Sequence, residues 1–229
     1  MKELYVFCEG PTEQGFCTRV LQPYLFPDHD GFVRAPLITH SRKKGKEHKG
    51  GVATHYQPLR DGILRLLSGQ GHREGQVFTS MIDLYGLPSD FPGKETKTRN
   101  PDNPWPYAEH LEAAFGEDIA EPRFVPYLQL HEFETLVFAD TSALEFLFDD
   151  VGAAIKGLNK VVTKYGDVEK INDSPNTAPS KRIIQLIPRY EKLKTTAGPD
   201  IAEYIGVDGL REKCPHFDRW IKLLKLRIE

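Results

Sequence analysis

Leu4-Tyr5-Val6-Phe7-Cys8-Glu9-Gly10-Pro11-Thr12-Glu13 decides how this chain is read. A short apolar run with the character of a buried strand stops at a glutamate. Gly10 and Pro11 break the run, and Thr12 is placed to cap a helix whose apolar residues Phe16, Val20 and Leu21 recur at helical spacing. A strand that leaves through a carboxylate and turns into a helix is the first unit of an α/β fold. Glycine beside Glu9 also permits close approach of a ligand.

Working outward, the same unit recurs. Phe32–Thr39 reads as a second extended segment, with Pro36 favouring a sheet edge. Tyr56, Leu59, Ile63, Leu66 and Leu67 mark an amphipathic helix, and Gln76–Asp83 a third strand. Tyr107, Leu111 and Phe115 predict a third helix, and Phe124–Leu130 a fourth strand. Strands alternating with helices imply right-handed crossovers and a mostly parallel sheet of about four strands. Beyond residue 140 the pattern changes to short helices, over Ser180–Ile187, Ile201–Ile205 and Pro215–Leu226. The predicted organisation is an α/β core over 1–140 with a helical C-terminal subdomain, 141–229, packed on it.

The 229 residues suffice for one generous domain, and no apolar run reaches the roughly 18–20 residues that span a bilayer. The amino terminus turns acidic too soon for a signal peptide. Cys8, Cys17 and Cys214 form no C-x-x-C pair and leave an odd count, against a zinc ribbon or a disulfide framework. A reducing cytoplasm is the expected location. A net charge of −3 gives no global attraction to nucleic acid, so any such binding must be local.

Ligands of an open α/β sheet collect outside the carboxyl ends of its strands. The first strand leaves through Glu9, with Glu13 in the next helical turn; the third leaves through Asp83; the fourth through His131-Glu132-Phe133-Glu134. Carboxylates gathered from three strand ends repel one another unless a cation lies between them, and hard oxygen ligands suit Mg²⁺ or Mn²⁺. Each also has a plainer role. Glu13 suits a helix start by its charge alone, Asp83 can begin a turn, Glu132 can cap a helix, Glu134 can face solvent, and His131 can be a satisfied structural histidine. A zincin H-E-x-x-H, a P-loop, a G-x-G-x-x-G and a G-x-S-x-G elbow are all missing.

Glu9-Gly10-Pro11-Thr12-Glu13 resembles the E-G-x-T-E start of Toprim domains in the overcoming-lysogenization-defect (OLD) family of nucleases. The element order over about residues 1–140 is similar to the Toprim fold. With Leu130-His131-Glu132-Phe133-Glu134, Ala178-Pro179-Ser180-Lys181-Arg182 and Cys214-Pro215-His216-Phe217, the whole chain resembles a prokaryotic Toprim-related family, domain of unknown function 4276. The resemblance implies Mg²⁺- or Mn²⁺-dependent cleavage of nucleic acid, often in anti-phage defence, with an ABC-type or other ATPase encoded nearby as partner. Glu9, Asp83 and Glu134 would hold the metal, and Glu13 or Glu132 would orient a second metal or the water. One departure stands out: Asp83-Leu84-Tyr85 replaces the D-x-D of Toprim domains, so a ligand is lost unless Glu132, Glu134 or Asp90 supplies it.

Two cationic segments complete the reading. Ser180 is expected to cap a helix whose free amides, with Lys181 and Arg182, would receive a phosphate, Lys181 stabilising its developing charge. The loop bearing Arg42, Lys43, Lys44, Lys46 and Lys49 could neutralise several phosphates, or simply be solvated. Rival readings are a non-catalytic module that binds an ATPase or nucleic acid, and a phosphohydrolase or transferase of small nucleotides.

Overall fold

The computed structural model describes residues 1–38, 55–71, 74–171 and 176–229. Arg42, Lys43, Lys44, Lys46 and Lys49 of the basic loop lie outside the described residues.

Strand β1 (Lys2–Cys8) is central, pairing in parallel with β2 (Gly31–Arg34) on one side and β3 (Gln76–Asp83) on the other. Beyond β3 run β4 (Phe124–Val125) and β5 (Leu128–Gln129), both parallel to it. The expected parallel α/β sheet is therefore present, with β2 at its edge. The expected continuous strand over Phe124–Leu130 is not. It breaks at Pro126-Tyr127, because Pro126 has no N–H to give the ladder. Ser80 bridges the break, its Oγ accepting from Tyr127 N at 3.0 Å and donating to Tyr127 O at 2.9 Å.

Alternate residues of β1 feed two apolar layers. Tyr5 and Phe7 face α3 (Tyr56–Gln70) and α4 (Trp105–Ile119), packing with Ile63, Leu111 and Phe115. Leu4, Val6 and Cys8 join the opposite layer with Phe16, Ile201, Phe217 and Trp220. That second layer draws on both halves of the chain, so the C-terminal helices complete the core that β1 begins. They are α5 (Gly152–Tyr165), α6 (Pro179–Leu186), α7 (Tyr190–Ile205), α8 (Val207–Lys213) and α9 (Pro215–Ile228), preceded by a 3-10 segment, Phe133–Phe146. Cys8, Cys17 and Cys214 are buried free thiols. Among the described residues, no helix is long and apolar enough to cross a membrane.

Three helix starts differ from expectation. After β1, α1 (Pro11–Phe16) runs through a π-helical turn (Cys17–Leu21) into α2 (Gln22–Leu25), and its cap is Gly10 rather than Thr12. Pro11 takes the first helical position, and Glu13 Oε2 reaches back to accept from Gly10 N at 2.9 Å. In α6 the cap is Ala178, with Pro179 first and Ser180 second. Helix α7 is also longer than Ile201–Ile205, continuing through Pro199 to begin at Tyr190. It lies close to α1: a Cβ on Gly198 would stand 3.0 Å from the Phe133 ring and 3.3 Å from Thr12 Cγ2. Glycine is needed for that approach.

Candidate functional site

The chain adds β2 to one flank of β1 and β3 to the other, so the crevice at the carboxyl ends of β1 and β3 is the switch point of the sheet. Glu9 and Asp83 stand there together. Glu9 Oε2 accepts from the Asp83 amide at 3.1 Å. Glu13, buried in the first turn of α1, acts on Asp83 through its charge and is acted on by that of Glu9.

Beyond β5 the chain turns at His131, whose backbone is left-handed with φ 62°, a region that histidine enters more readily than most side chains. His131 O accepts from Tyr85 N at 3.0 Å, which ties this turn to the end of β3. Glu132 and Glu134 follow, both buried. Glu132 Oε1 accepts from Ser180 N at 2.5 Å. Glu134 Oε1 accepts from Tyr190 OH at 3.3 Å, and its Oε2 lies 3.2 Å from Lys194 Nζ. The same ammonium is 3.7 Å from Glu132 Oε2.

The electrostatics follow from one ammonium facing five carboxylates. Burial, then the charges of Glu9, Glu13, Glu132 and Glu134, drive Asp83 well above the usual carboxylate range. Burial and the Glu9 charge lift Glu13 to about 7, although its bond from Gly10 opposes them. Burial also lifts Glu134 to about 7 against the pull of Lys194, and it raises Glu9. Burial works against the Lys194 charge, but Glu134 and Glu132 outweigh it and hold its pKa above the ordinary lysine value.

As the side chains stand, no three His, Cys, Asp or Glu among the described residues are arranged to hold a metal ion. Two features nevertheless suit a hard cation. The donor set is entirely carboxylate, and Asp83 Oδ1 is buried with no hydrogen-bond partner among the described residues. A group left in that condition costs free energy that an added cation would recover.

The structure thus brings together Glu9, Glu13, Asp83, Glu132 and Glu134. Asp90 stays apart, accepting from Tyr56 N at 2.9 Å at the start of α3. Tyr85, standing where a second aspartate would follow Asp83, is largely exposed. The α6 amide expected to receive a phosphate is taken by Glu132. Lys181 is exposed, and Arg182 turns to Thr177 O at 2.6 Å and Tyr165 OH at 3.0 Å. Sequence reasoning missed Lys194 and Tyr190. Their i, i+4 spacing on the inner side of α7 was the available signal.

The other quoted motifs are explained by the same means. Helix α9, like α6, opens with a proline and meets a distant glutamate: Glu169 accepts from His216 N at 2.9 Å, Phe217 N at 3.2 Å and Trp105 Nε1 at 2.7 Å. Both arrangements place a carboxylate on the positive end of a helix. His131 connects this network to the site, with Nε2 2.8 Å from Glu169 O and Nδ1 3.0 Å from Arg99 Nη2. Burial and the Arg99 charge lower its pKa to about 4.

Fold and site together define a parallel α/β protein with a buried anionic cluster at the sheet switch point. The family described as a domain of unknown function (DUF4276) matches residues 8–225, and the chain belongs to that family. No curated protein and no solved structure matches the chain.

Proposed function

We propose that this protein is a Toprim-like hydrolase that cleaves phosphodiester bonds in nucleic acid with Mg²⁺ or Mn²⁺ held by Glu9, Asp83 and Glu134. The supporting observation is the gathering of five carboxylates from three strand ends beside one unpartnered buried oxygen, Asp83 Oδ1. A divalent ion bound there supplies positive charge to the phosphoryl group and acidifies a water molecule. Glu13 has its Oε2 committed to the Gly10 amide, so Oε1 is left to take a proton from the attacking water. A pKa of about 7 suits that exchange near neutrality. Lys194 neutralises Glu132 and Glu134 and orients them. The family resemblance extends the proposal to an effector of prokaryotic anti-phage defence acting with an ATPase.

The test is nicking of plasmid and cleavage of RNA by the full chain in Mg²⁺ or Mn²⁺, against Glu9→Gln and Asp83→Asn. Both variants should fold and lose cleavage; equal cleavage by wild type and both variants overturns the assignment. A second reading, a non-catalytic module binding nucleic acid or an ATPase, is favoured by Glu9 and Glu132 already holding main-chain amides and by Tyr85 in place of an aspartate. It predicts metal and partner binding without cleavage, with or without an ATPase.

A further inference from the structure

Helices α5 and α6 carry only cations. Lys156, Lys160 and Lys164 lie in α5, Lys181 and Arg182 in α6, and neither helix contains Asp or Glu, in a chain of net charge −3. The lysines of α5 recur at i, i+4 and i+8, so they share one face with successive residues about 6 Å apart along the axis. All three are exposed. Like charges at this spacing work against the helix, and among the described residues neither Lys156 nor Lys160 nor Lys181 has an ion-pair partner.

The row has a direction. Leu186 of α6 lies against Gly157, and Arg182 bonds Tyr165 OH at 3.0 Å, so the two helices run antiparallel. The end of α5 that carries Lys164 is therefore the end at which α6 begins. Lys164 Nζ and the Arg182 guanidinium lie 5.1 Å and 5.4 Å from the centre of the Tyr165 ring. Two residues before Arg182, the Ser180 amide holds Glu132 of the carboxylate cluster at 2.5 Å. The cations thus lead from the outer end of α5 to the edge of the carboxylate cluster.

We propose that the α5–α6 face is the docking track for the phosphodiester backbone of a nucleic acid strand bound at the carboxylate cluster. The choice of nucleic acid among polyanions rests on the phosphodiester reading above. Complementarity of charge is the second argument, since each lysine can neutralise one phosphate and release its counterion. Asn159 and Thr163 flank the lysines, while the apolar residues Ile155 and Leu158 are turned into the core. Leu186 is the large apolar residue of these two helices that is exposed, and one such side chain falls short of the apolar face with which basic helices enter lipid.

The test is fluorescence anisotropy of labelled single-stranded and duplex DNA and RNA with the full chain, in EDTA, at graded salt. The variant is Lys156→Gln/Lys160→Gln/Lys164→Gln. Wild type should bind, and the variant should bind at least about tenfold more weakly, with a log–log salt slope smaller by about 2–3. The rise in Tm with Mn²⁺ should be the same in both proteins, showing that the cluster is intact. Equal affinity and slope, no oligonucleotide binding by wild type at low salt, or binding to phosphatidylserine vesicles instead would each overturn the proposal. Lysine-dependent binding without any Mn²⁺ response would uphold the track and refute the metal centre.

Discussion

Lys194 Nζ lies 3.2 Å from Glu134 Oε2, a carboxylate with no exposed surface, and so brings a cation against an otherwise anionic cluster. The lysine comes from the C-terminal half and the glutamate from the turn after β5. The assembled cluster therefore depends on docking of α7, held against α1 by the glycine contact at Gly198.

Replacing Lys194 with methionine removes the one ammonium that, among the described residues, contacts these carboxylates. The side chain is 36% exposed, so its loss should cost about 1–2 kcal/mol, between values for exposed and buried pairs. Thermal unfolding in EDTA should show the lower stability, and the rise in Tm with Mn²⁺ should exceed that of wild type. A smaller rise would mean that Lys194 does not compete with the metal.

Glu13 and Glu134, both lifted to about 7, bind protons more tightly folded than unfolded. Their contribution to stability is complete below the ordinary carboxylate range and is lost as pH rises through about 7. Mn²⁺ should reverse that loss, so the difference in Tm with and without Mn²⁺ should grow between about pH 5.5 and about pH 8. Other titrating groups cancel in the difference. A difference that is flat or falls with pH contradicts the assignment.

His131 titrates the opposite way. Its Nε2 must carry the proton, because Glu169 O only accepts, while Nδ1 accepts from Arg99. A pKa of about 4 means that its stabilising contribution is present above the usual histidine value and lost as pH falls through about 4. Long-range nitrogen–proton NMR should show a neutral Nε2–H ring at pH 6. A ring already charged there would show that the Arg99 contact does not persist.

Glu169→Ala leaves the amides of His216 and Phe217 and the Trp105 indole without their acceptor at the start of α9. At about 1–3 kcal/mol per buried unsatisfied donor, partly relieved by water, the loss should be about 3–5 kcal/mol. Denaturant unfolding checks it, and a loss below about 1 kcal/mol would show that the network is not a determinant of the fold.

How far these features were legible depends on whether their causes were local. Strand β3 was readable to its ends because Gln76–Asp83 is rich in strand-forming residues, Val77, Phe78, Thr79 and Ile82, and is closed by a charge. Glu9 and Asp83 were readable as strand exits, and parallel pairing then placed them at one edge. The break at Pro126 has a local cause in the missing proline N–H, but its bridging by Ser80 of another strand was not readable. Lys194 was hidden because the helix was expected only over Ile201–Ile205, beyond Gly198-Pro199, whereas α7 runs through that pair, packed on α1, from Tyr190. Ser180 looked free to receive an anion only while its partner, Glu132, was distant in sequence.

The central claim is that the carboxylates of β1, β3 and the turn after β5 hold a divalent ion. Isothermal titration of Mn²⁺ into the full chain, repeated with Glu9→Gln, Asp83→Asn and Glu134→Gln, tests it most directly. The account predicts saturable binding by wild type, with proton release at neutral pH, and loss of that binding in all three variants. Wild-type protein that takes up no Mn²⁺, or variants that titrate like wild type, would contradict it.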